Sequence, residues 1–213
     1  MKIVVSVCRG EEIEQAERFG ADIIELRMDR MQKAIDAESL STRLPRILTL
    51  RSVTEGGDFD GDPSAWTAQV LPFARKGDWI DIEERFSGCA TVVRSRGIRI
   101  IGSTHCQTMP SAAELGAIRQ RLRAYADLPK IVVTPSTEQD LLTLCSFTLG
   151  SEKPICTGVM GKHFAYGRIL LPFFGSALAY CHAGTPAAEG QYHIRDFRTI
   201  LDLMTGTGSR DHR

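Results

Sequence analysis

The chain has no surplus of either charge: 26 Lys and Arg against 26 Asp and Glu in 213 residues give a formal net charge of zero. That balance removes the electrostatic footprint of a nucleic-acid binder or of a protein held on an anionic membrane surface, so any anion it takes must be gripped locally. No apolar run approaches the ~20 residues of a membrane span, and the N-terminus enters Lys2-Ile3-Val4-Val5-Ser6-Val7 without a cleavable apolar segment. The six cysteines (Cys8, Cys89, Cys106, Cys145, Cys156, Cys181) lie far apart with no Cys-x-x-Cys pair, which argues against a zinc ribbon or a thioredoxin-like site and reads as free thiols. These features fit a reducing cytoplasm. Also missing is a Gly-x-Gly-x-x-Gly turn after the first apolar run, where Cys8-Arg9-Gly10-Glu11-Glu12 stands instead, so a nicotinamide enzyme is discounted.

What is present is repetition. Short apolar, β-branched runs recur at 2–8, 22–27, 46–51, 78–83, 98–103, 129–133, 155–159 and 177–182, and helical patterns separate most of them. Strands alternating with helices predict parallel β/α architecture. Eight such units in one chain fit a closed (β/α)8 barrel better than an open doubly wound sheet, although 213 residues falls below the ~250 typical of that fold, so the loops must be short. A single domain over 1–206 is expected, with a disordered tail from Thr207 to Arg213.

The clearest helix follows the fifth run, where Ser111 and Glu114 make a capping box ahead of Leu115, Ile118, Leu122 and Tyr125 at helical spacing. The next connector repeats the device: Ser136 and Gln139 are expected to cap a helix whose apolar face is Leu141, Leu142, Cys145 and Leu149, ending at Gly150. Ile194, Phe197, Leu201 and Met204 predict a last helix that ends at Gly206.

Ionisable residues recur at the C-terminal ends of the apolar runs, where barrels build their active sites. Glu25 and Arg27 close the second strand, Arg51 the third, and Asp81 and Glu83 the fourth; His105 follows the fifth, Lys130 opens the sixth and Met160 follows the seventh. In Glu25-Leu26-Arg27 and Asp81-Ile82-Glu83 the charges are two residues apart, so each pair faces one side of its strand and points into the barrel. Such charges read either as a mutually neutralised structural network or as a site. Lys130, alone, is a snorkelling strand-edge lysine; among these neighbours it is a candidate nucleophile, if burial and nearby arginines disfavour its ammonium form. His105 follows the fifth predicted strand, one unit from Lys130, and can shuttle protons if a carboxylate orients it. His163 and His182 stand at no recognised ligand spacing from it, so no metal is expected.

Several motifs then coincide in order: Glu25-Leu26-Arg27-Met28-Asp29, Thr49-Leu50-Arg51 followed by Glu55-Gly56-Gly57, Asp81-Ile82-Glu83, Ser103-Thr104-His105, Lys130-Ile131, Met160-Gly161, Arg168, Phe174-Gly175-Ser176 and Gly190-Gln191. Together they resemble the type I 3-dehydroquinate dehydratases from the second strand to the last helix. The resemblance implies that Lys130 forms an imine with the C3 ketone of 3-dehydroquinate and that His105 moves the protons. By the same likeness Glu55 orients the histidine and favours its imidazolium form, and Arg168 clamps the substrate carboxylate. Glu25, Arg27, Arg51, Ala187 and Gln191 address the ring hydroxyls and carboxylate, Met160 and Tyr180 line the ring, and Asp81 and Glu83 support the site. No cofactor is implied, and a homodimer is.

The chain departs from the family's usual pattern in its lid, where Ser-Ala-Pro-Gly-Gln reads Ala187-Ala188-Glu189-Gly190-Gln191, losing a hydroxyl and a proline and gaining a charge. Thr104, Cys106 and Gln107 stand where Tyr, Asp and Phe are common, Gly167 replaces a Ser, and Tyr180 a Phe. Two other readings share the barrel. A class I aldolase would use the same imine but needs a phosphate site, for which Gly161, Gly184 and Gly190 are too scattered. A non-catalytic ligand-binding barrel would not need Lys130, His105 and Glu55 together.

Overall fold

Inward and outward residues alternate along eight parallel strands, and that alternation builds the architecture. The computed structural model describes residues 1–31 and 40–206, so the expectation for the tail lies outside the described residues. The strands are β1 Lys2–Val7, β2 Ile23–Arg27, β3 Arg46–Thr49, β4 Trp79–Glu83, β5 Arg99–Cys106, β6 Leu128–Val133, β7 Cys156–Val159 and β8 Leu178–His182. They hydrogen-bond in the order β7-β6-β5-β4-β3-β2-β1-β8, every pair parallel. The two ends of this sheet meet to make a nearly closed (β/α)8 barrel. Ala177 N donates to Ile155 O at 2.7 Å. The Ser176 hydroxyl accepts from Thr157 N at 3.0 Å and faces the carbonyls of Thr157 and Leu178 at 3.1 Å each.

Between the strands run α1 Glu12–Arg18, α2 Pro63–Val70, α3 Ala90–Ser95, α4 Ala112–Arg123, α5 Glu138–Gly150, α6 Gly167–Leu170 and α7 Ile194–Thr205. Outward strand residues such as Ile24, Leu26, Leu48, Ile80, Ile82 and Ile100 pack beneath Trp66, Val70, Phe86, Val93 and Phe197. Ile131, Val133 and Val159 pack beneath Leu115, Ile118, Leu122, Leu141 and Leu144. Each fully buried aliphatic side chain contributes about 1.5–3 kcal/mol by leaving water. Inside the barrel a lower layer of Val4, Ile23, Ile47, Ile101, Leu128, Cys156 and Leu178 is apolar. Two residues further along the strands the inward positions become Ser6, Glu25, Thr49, Ser103, Lys130 and Tyr180, so the site rests on an apolar floor.

The capping box of α4 forms as the sequence predicts, with Ser111 Oγ accepting from Glu114 N and Glu114 Oε2 accepting from Ser111 N at 2.8 Å. That of α5 lies one residue later than expected. Thr137 is its N-cap and Asp140, not Gln139, reaches back, because the Asp140 carboxylate also accepts from Ser136 N and Ser136 Oγ at 2.8 Å each. The buried face of α5 is Leu141, Leu144, Cys145 and Thr148, whereas Leu142 and Leu149 are exposed. The helix ends at Ser151 in extended conformation rather than at a left-handed Gly150. The last helix ends as expected, on a left-handed Gly206.

Two strand boundaries shift the site residues. β5 continues through Cys106, so His105 lies within the strand, and β6 begins at Leu128, one residue before the expected 129–133, so Lys130 is its third residue. Among the described residues no helix is long and apolar enough to cross a membrane.

Candidate active site

The C-terminal mouth of the barrel holds a cavity of about 420 Å³ lined by Glu25, Arg27, Arg51, Glu55, His105, Lys130, Met160, Arg168, Tyr180, Ala187 and Gln191, among others. Strand parity explains the gathering. Ser103 pairs with Lys130 and His105 with Val132, so Lys130 and His105 stand on the same inward face of neighbouring strands.

Asp81 is the hub of the floor. One of its oxygens accepts from Arg51 Nη2 at 2.8 Å and from the Ser103 hydroxyl at 2.5 Å, and the other accepts from Lys130 Nζ at 3.0 Å. Burial by itself would raise the Asp81 pKa, but the Arg51 and Lys130 charges prevail and hold it well below the usual carboxylate range. Glu25 is oriented by the hydroxyls of Ser6 at 2.5 Å and Thr49 at 2.8 Å, and its carboxylate lies 3.8 Å from Lys130 Nζ. The Tyr180 ring lies beneath the amine, with Nζ 4.2 Å from the ring centre. Lys130 is thus only 4 % exposed and flanked by two carboxylates and an aromatic face. This corrects the expectation that arginines are its immediate neighbours, because Arg51 reaches it only through the shared Asp81.

Arg51 is committed inside the protein. Its Nη1 donates to Glu83 at 2.9 Å, Ser103 Oγ at 3.0 Å and Glu55 at 3.2 Å, besides the Nη2 bond to Asp81. Burial disfavours its charge, yet Asp81, Glu83 and Glu55 outweigh burial and raise its pKa. Glu83 also accepts from Ser52 N at 2.8 Å and Ser52 Oγ at 2.5 Å, which ties the loop after β3 to β4. That loop presents Glu55. Its tight return needs Gly57, where a Cβ would sit 2.1 Å from the Arg51 carbonyl oxygen.

Glu55 Oε2 lies 2.7 Å from His105 Nδ1 and accepts from His105 N at 3.1 Å, as a carboxylate that orients the ring must. The charge state differs from expectation. Burial, followed by the Arg51 and Lys130 charges and opposed by Asp81, holds His105 well below its ordinary value and so favours the neutral imidazole. Burial also pushes Glu55 up to about 8, with Arg51 opposing and Glu83 and Asp81 reinforcing the rise. Both shifts favour an uncharged ring facing a carboxyl that readily holds a proton, rather than a standing imidazolium.

Around the rim, Arg27 forks onto Asp29 at 2.9 and 2.6 Å and donates to the Ala187 carbonyl at 3.2 Å. Ala187 N in turn donates to Gln191 Oε1 at 2.9 Å, and Gln191 Nε2 donates to Cys181 O at 3.0 Å and Ser6 Oγ at 3.2 Å. Arg168 is different. Among the described residues its guanidinium makes one hydrogen bond, from Nη2 to Glu189 O at 3.2 Å, its Nε is buried without a partner, and burial lowers its pKa to about 10. It keeps donors for an incoming anion.

A family model described as Type I 3-dehydroquinase matches residues 9–207 of the chain. The chain belongs to the type I 3-dehydroquinase family. It is 43% identical to a 3-dehydroquinate dehydratase of Methanoregula boonei over 211 residues, covering 96% of this chain and all of that one. The fold superposes on the 3-dehydroquinate dehydratase of Geobacillus kaustophilus with a TM-score of 0.85 at 24% identity, covering 98% of this chain and 92% of the other. A type I 3-dehydroquinate dehydratase of Clostridium difficile, solved with covalently modified comenic acid, superposes with a TM-score of 0.81 at 25% identity over 97% of this chain and 92% of the other.

Every residue given a catalytic, substrate-binding or supporting role in the sequence of this dehydroquinase-family chain either lines the cavity or, like Asp81 and Glu83, bonds to one that does. The sequence reading assigned no role to Ser6, Thr49, Ser103 or Arg30. The first three occupy inward positions of the same alternation, which was the available signal. Arg30 had none: it lies in a loop and donates to Ala187 O at 2.7 Å and Gly56 O at 3.3 Å, joining two sides of the mouth.

Proposed function

We propose that the chain eliminates water from 3-dehydroquinate to give 3-dehydroshikimate through an imine on Lys130, a hydro-lyase step of the shikimate pathway. The observation that carries this reading is a buried amine between Asp81 and Glu25, on the same inward face as a His105–Glu55 pair on the next strand.

The chemistry follows from those neighbours. Lys130 Nζ passes a proton to a neighbouring carboxylate and attacks the C3 ketone; that proton and one N–H leave with the ketone oxygen as water, giving a cationic imine, and the two carboxylates beside Nζ then face the iminium. The iminium draws electrons from the C2–H bond, His105 takes the C2 proton, and an enamine forms. Its electron pair expels the C1 hydroxyl, which takes the proton from His105 and leaves as water; hydrolysis of the remaining imine frees Lys130. Each His105 transfer is worth ~10²–10⁴ in rate. Arg168, the rim arginine with spare donors, takes the substrate carboxylate. Met160 and Tyr180 pack the ring, and Arg27, Gln191 and Ala187 set the rim. Arg51 acts through Asp81, Glu83 and Glu55 rather than on the substrate directly. The family likeness also supports one catalytic domain over 1–206, a homodimer and a cytoplasmic location.

Borohydride added during turnover of 3-dehydroquinate tests the imine. The intact chain gains the mass of the reduced adduct on a peptide that carries Lys130, sugar phosphates give no adduct, and Lys130→Ala gives neither adduct nor turnover. Full activity in Lys130→Ala overturns the proposal.

A further inference from the structure

A second cavity, of about 360 Å³, opens at the opposite, N-terminal end of the barrel. That size lies within the ~300–1,000 Å³ range of small-molecule sites. Its interior is made by Ile23, Ile47, Ile101, Leu128 and Leu178, and Leu178 lines both this cavity and the one above. The chamber is therefore apolar in its depth. Its polar groups stand at the rim, and they are not balanced.

Among the described residues, Lys2, Asp22 and Arg99 are the only ionisable ones that line it. Lys2 Nζ pairs with Asp22 at 3.2 Å, and the other Asp22 oxygen accepts from Ile3 N at 2.8 Å, so that carboxylate is engaged. Arg99 has no ion pair among the described residues; its guanidinium carbon instead lies 4.1 Å from the centre of the Trp79 ring, which lines the cavity wall. A cation over an indole is held by the ring's negative face and keeps its edge donors available. The rim thus offers a net positive charge beside an indole, above an apolar chamber.

We propose that this N-terminal cavity binds a small amphipathic anion, an aromatic carboxylate whose ring enters the apolar chamber beside Trp79 and whose carboxylate meets the fork of Arg99. The chemistry excludes the alternatives: a cationic ligand meets Lys2 and Arg99 with like charge, and a neutral one leaves the guanidinium unused. The inference is independent of the reaction assigned to the upper site, because it uses none of the residues that carry that chemistry.

The intrinsic probe is selective. Trp66 is fully buried in the outer layer and Trp79 lines this cavity, while no tryptophan lines the upper one. Titration with 3-phenylpropionate, followed by tryptophan emission and by calorimetry, is expected to give one saturable site whose optical signal is lost in Trp79→Phe. Reversal of the exposed Arg99 to glutamate weakens binding about tenfold or more, and benzylamine binds at least about tenfold more weakly than the carboxylate. Arg168→Ala leaves the affinity unchanged, which separates this site from the anion site above. Absence of saturable heat, equal binding of benzylamine, no loss in Arg99→Glu, or abolition of binding by Arg168→Ala each overturns the proposal.

Discussion

Replacing Glu55 by glutamine changes the proton inventory of the site while preserving its shape. With the carboxylate ionised, Glu55 accepts His105 Nδ1–H across 2.7 Å and leaves Nε2 bare, the form that can remove a proton. When the pair takes up one more proton, Glu55 faces Nδ1 as an acid or the ring becomes imidazolium; in both cases Nε2 carries hydrogen and the base is lost. Uptake follows the Glu55 value of about 8. The competent fraction, 1/(1 + 10^(8 − pH)), is then about one-eleventh at pH 7, about half at pH 8 and about ten-elevenths at pH 9, a roughly tenfold rise in kcat/KM from pH 7 to 9.

In Glu55→Gln the amide oxygen still accepts Nδ1–H, so Nε2 stays bare at every pH above the low value of His105 itself and the tenfold rise disappears. The variant cannot stabilise the imidazolium that forms during proton transfer, and kcat/KM at pH 9 falls by ~10²-fold. The measurement is the absorbance of the enone product at saturating and limiting 3-dehydroquinate between pH 6 and 9.5. Stability gives a second readout with a definite sign. A carboxyl raised in the folded state contributes stability that is complete below its unfolded value and is lost as pH rises through about 8, so the wild-type melting temperature falls between pH 5 and 9 more than that of Glu55→Gln. A wild-type rate that is flat from pH 7 to 9, or a Glu55→Gln profile that keeps the rise, refutes the shared-proton reasoning.

Arg168→Lys replaces a planar fork by a point charge and is expected to raise KM at least about tenfold with a smaller change in kcat, read from steady-state kinetics. Gly190→Ala places a side chain on a left-handed backbone (φ 74°) with its Cβ 2.4 Å from the Gly161 carbonyl oxygen, so the 187–191 segment shifts and KM rises; unchanged kinetics would show that this segment does not set affinity. Ser176→Ala removes the hydroxyl that joins β7 to β8 and is expected to cost about 1–3 kcal/mol in urea unfolding while kcat is retained.

The barrel was legible because its signal is local. Alternation in Glu25-Leu26-Arg27 and Asp81-Ile82-Glu83 sends Leu26 and Ile82 to the outer layer and the charges inward, as the strands do. Helix faces were less legible where two readings of the period compete: Leu142 and Leu149 fit a helical stripe as well as Leu144 and Thr148 do, and only packing against β6 and β7 selects the second set. The α5 cap was missed by one residue because the expected pattern seeks Glu or Gln three places on, whereas the shorter Asp140 carboxylate reaches three groups at once.

Within the site, sequence order named the residues but not who neutralises whom. Partner choice depends on the stagger between strands, a long-range quantity. Of the four cavity-lining arginines, of which the sequence pointed to Arg27, Arg51 and Arg168, three are already engaged: Arg51 by Asp81, Glu83 and Glu55, Arg27 by Asp29, and Arg30 by two backbone carbonyls. Taking one partner from such a buried network leaves an uncompensated charge and costs about 3–5 kcal/mol, so these groups hold the cavity's shape and cannot also be freely spent on a ligand. Arg168, with an unpaired buried Nε and a single weak carbonyl contact, escapes that constraint. On the proposed function the site has a polarity, an anion-binding end at Arg168 and an electrophile-accepting end at Lys130, so a substrate must carry its carboxylate and its ketone far enough apart to reach both.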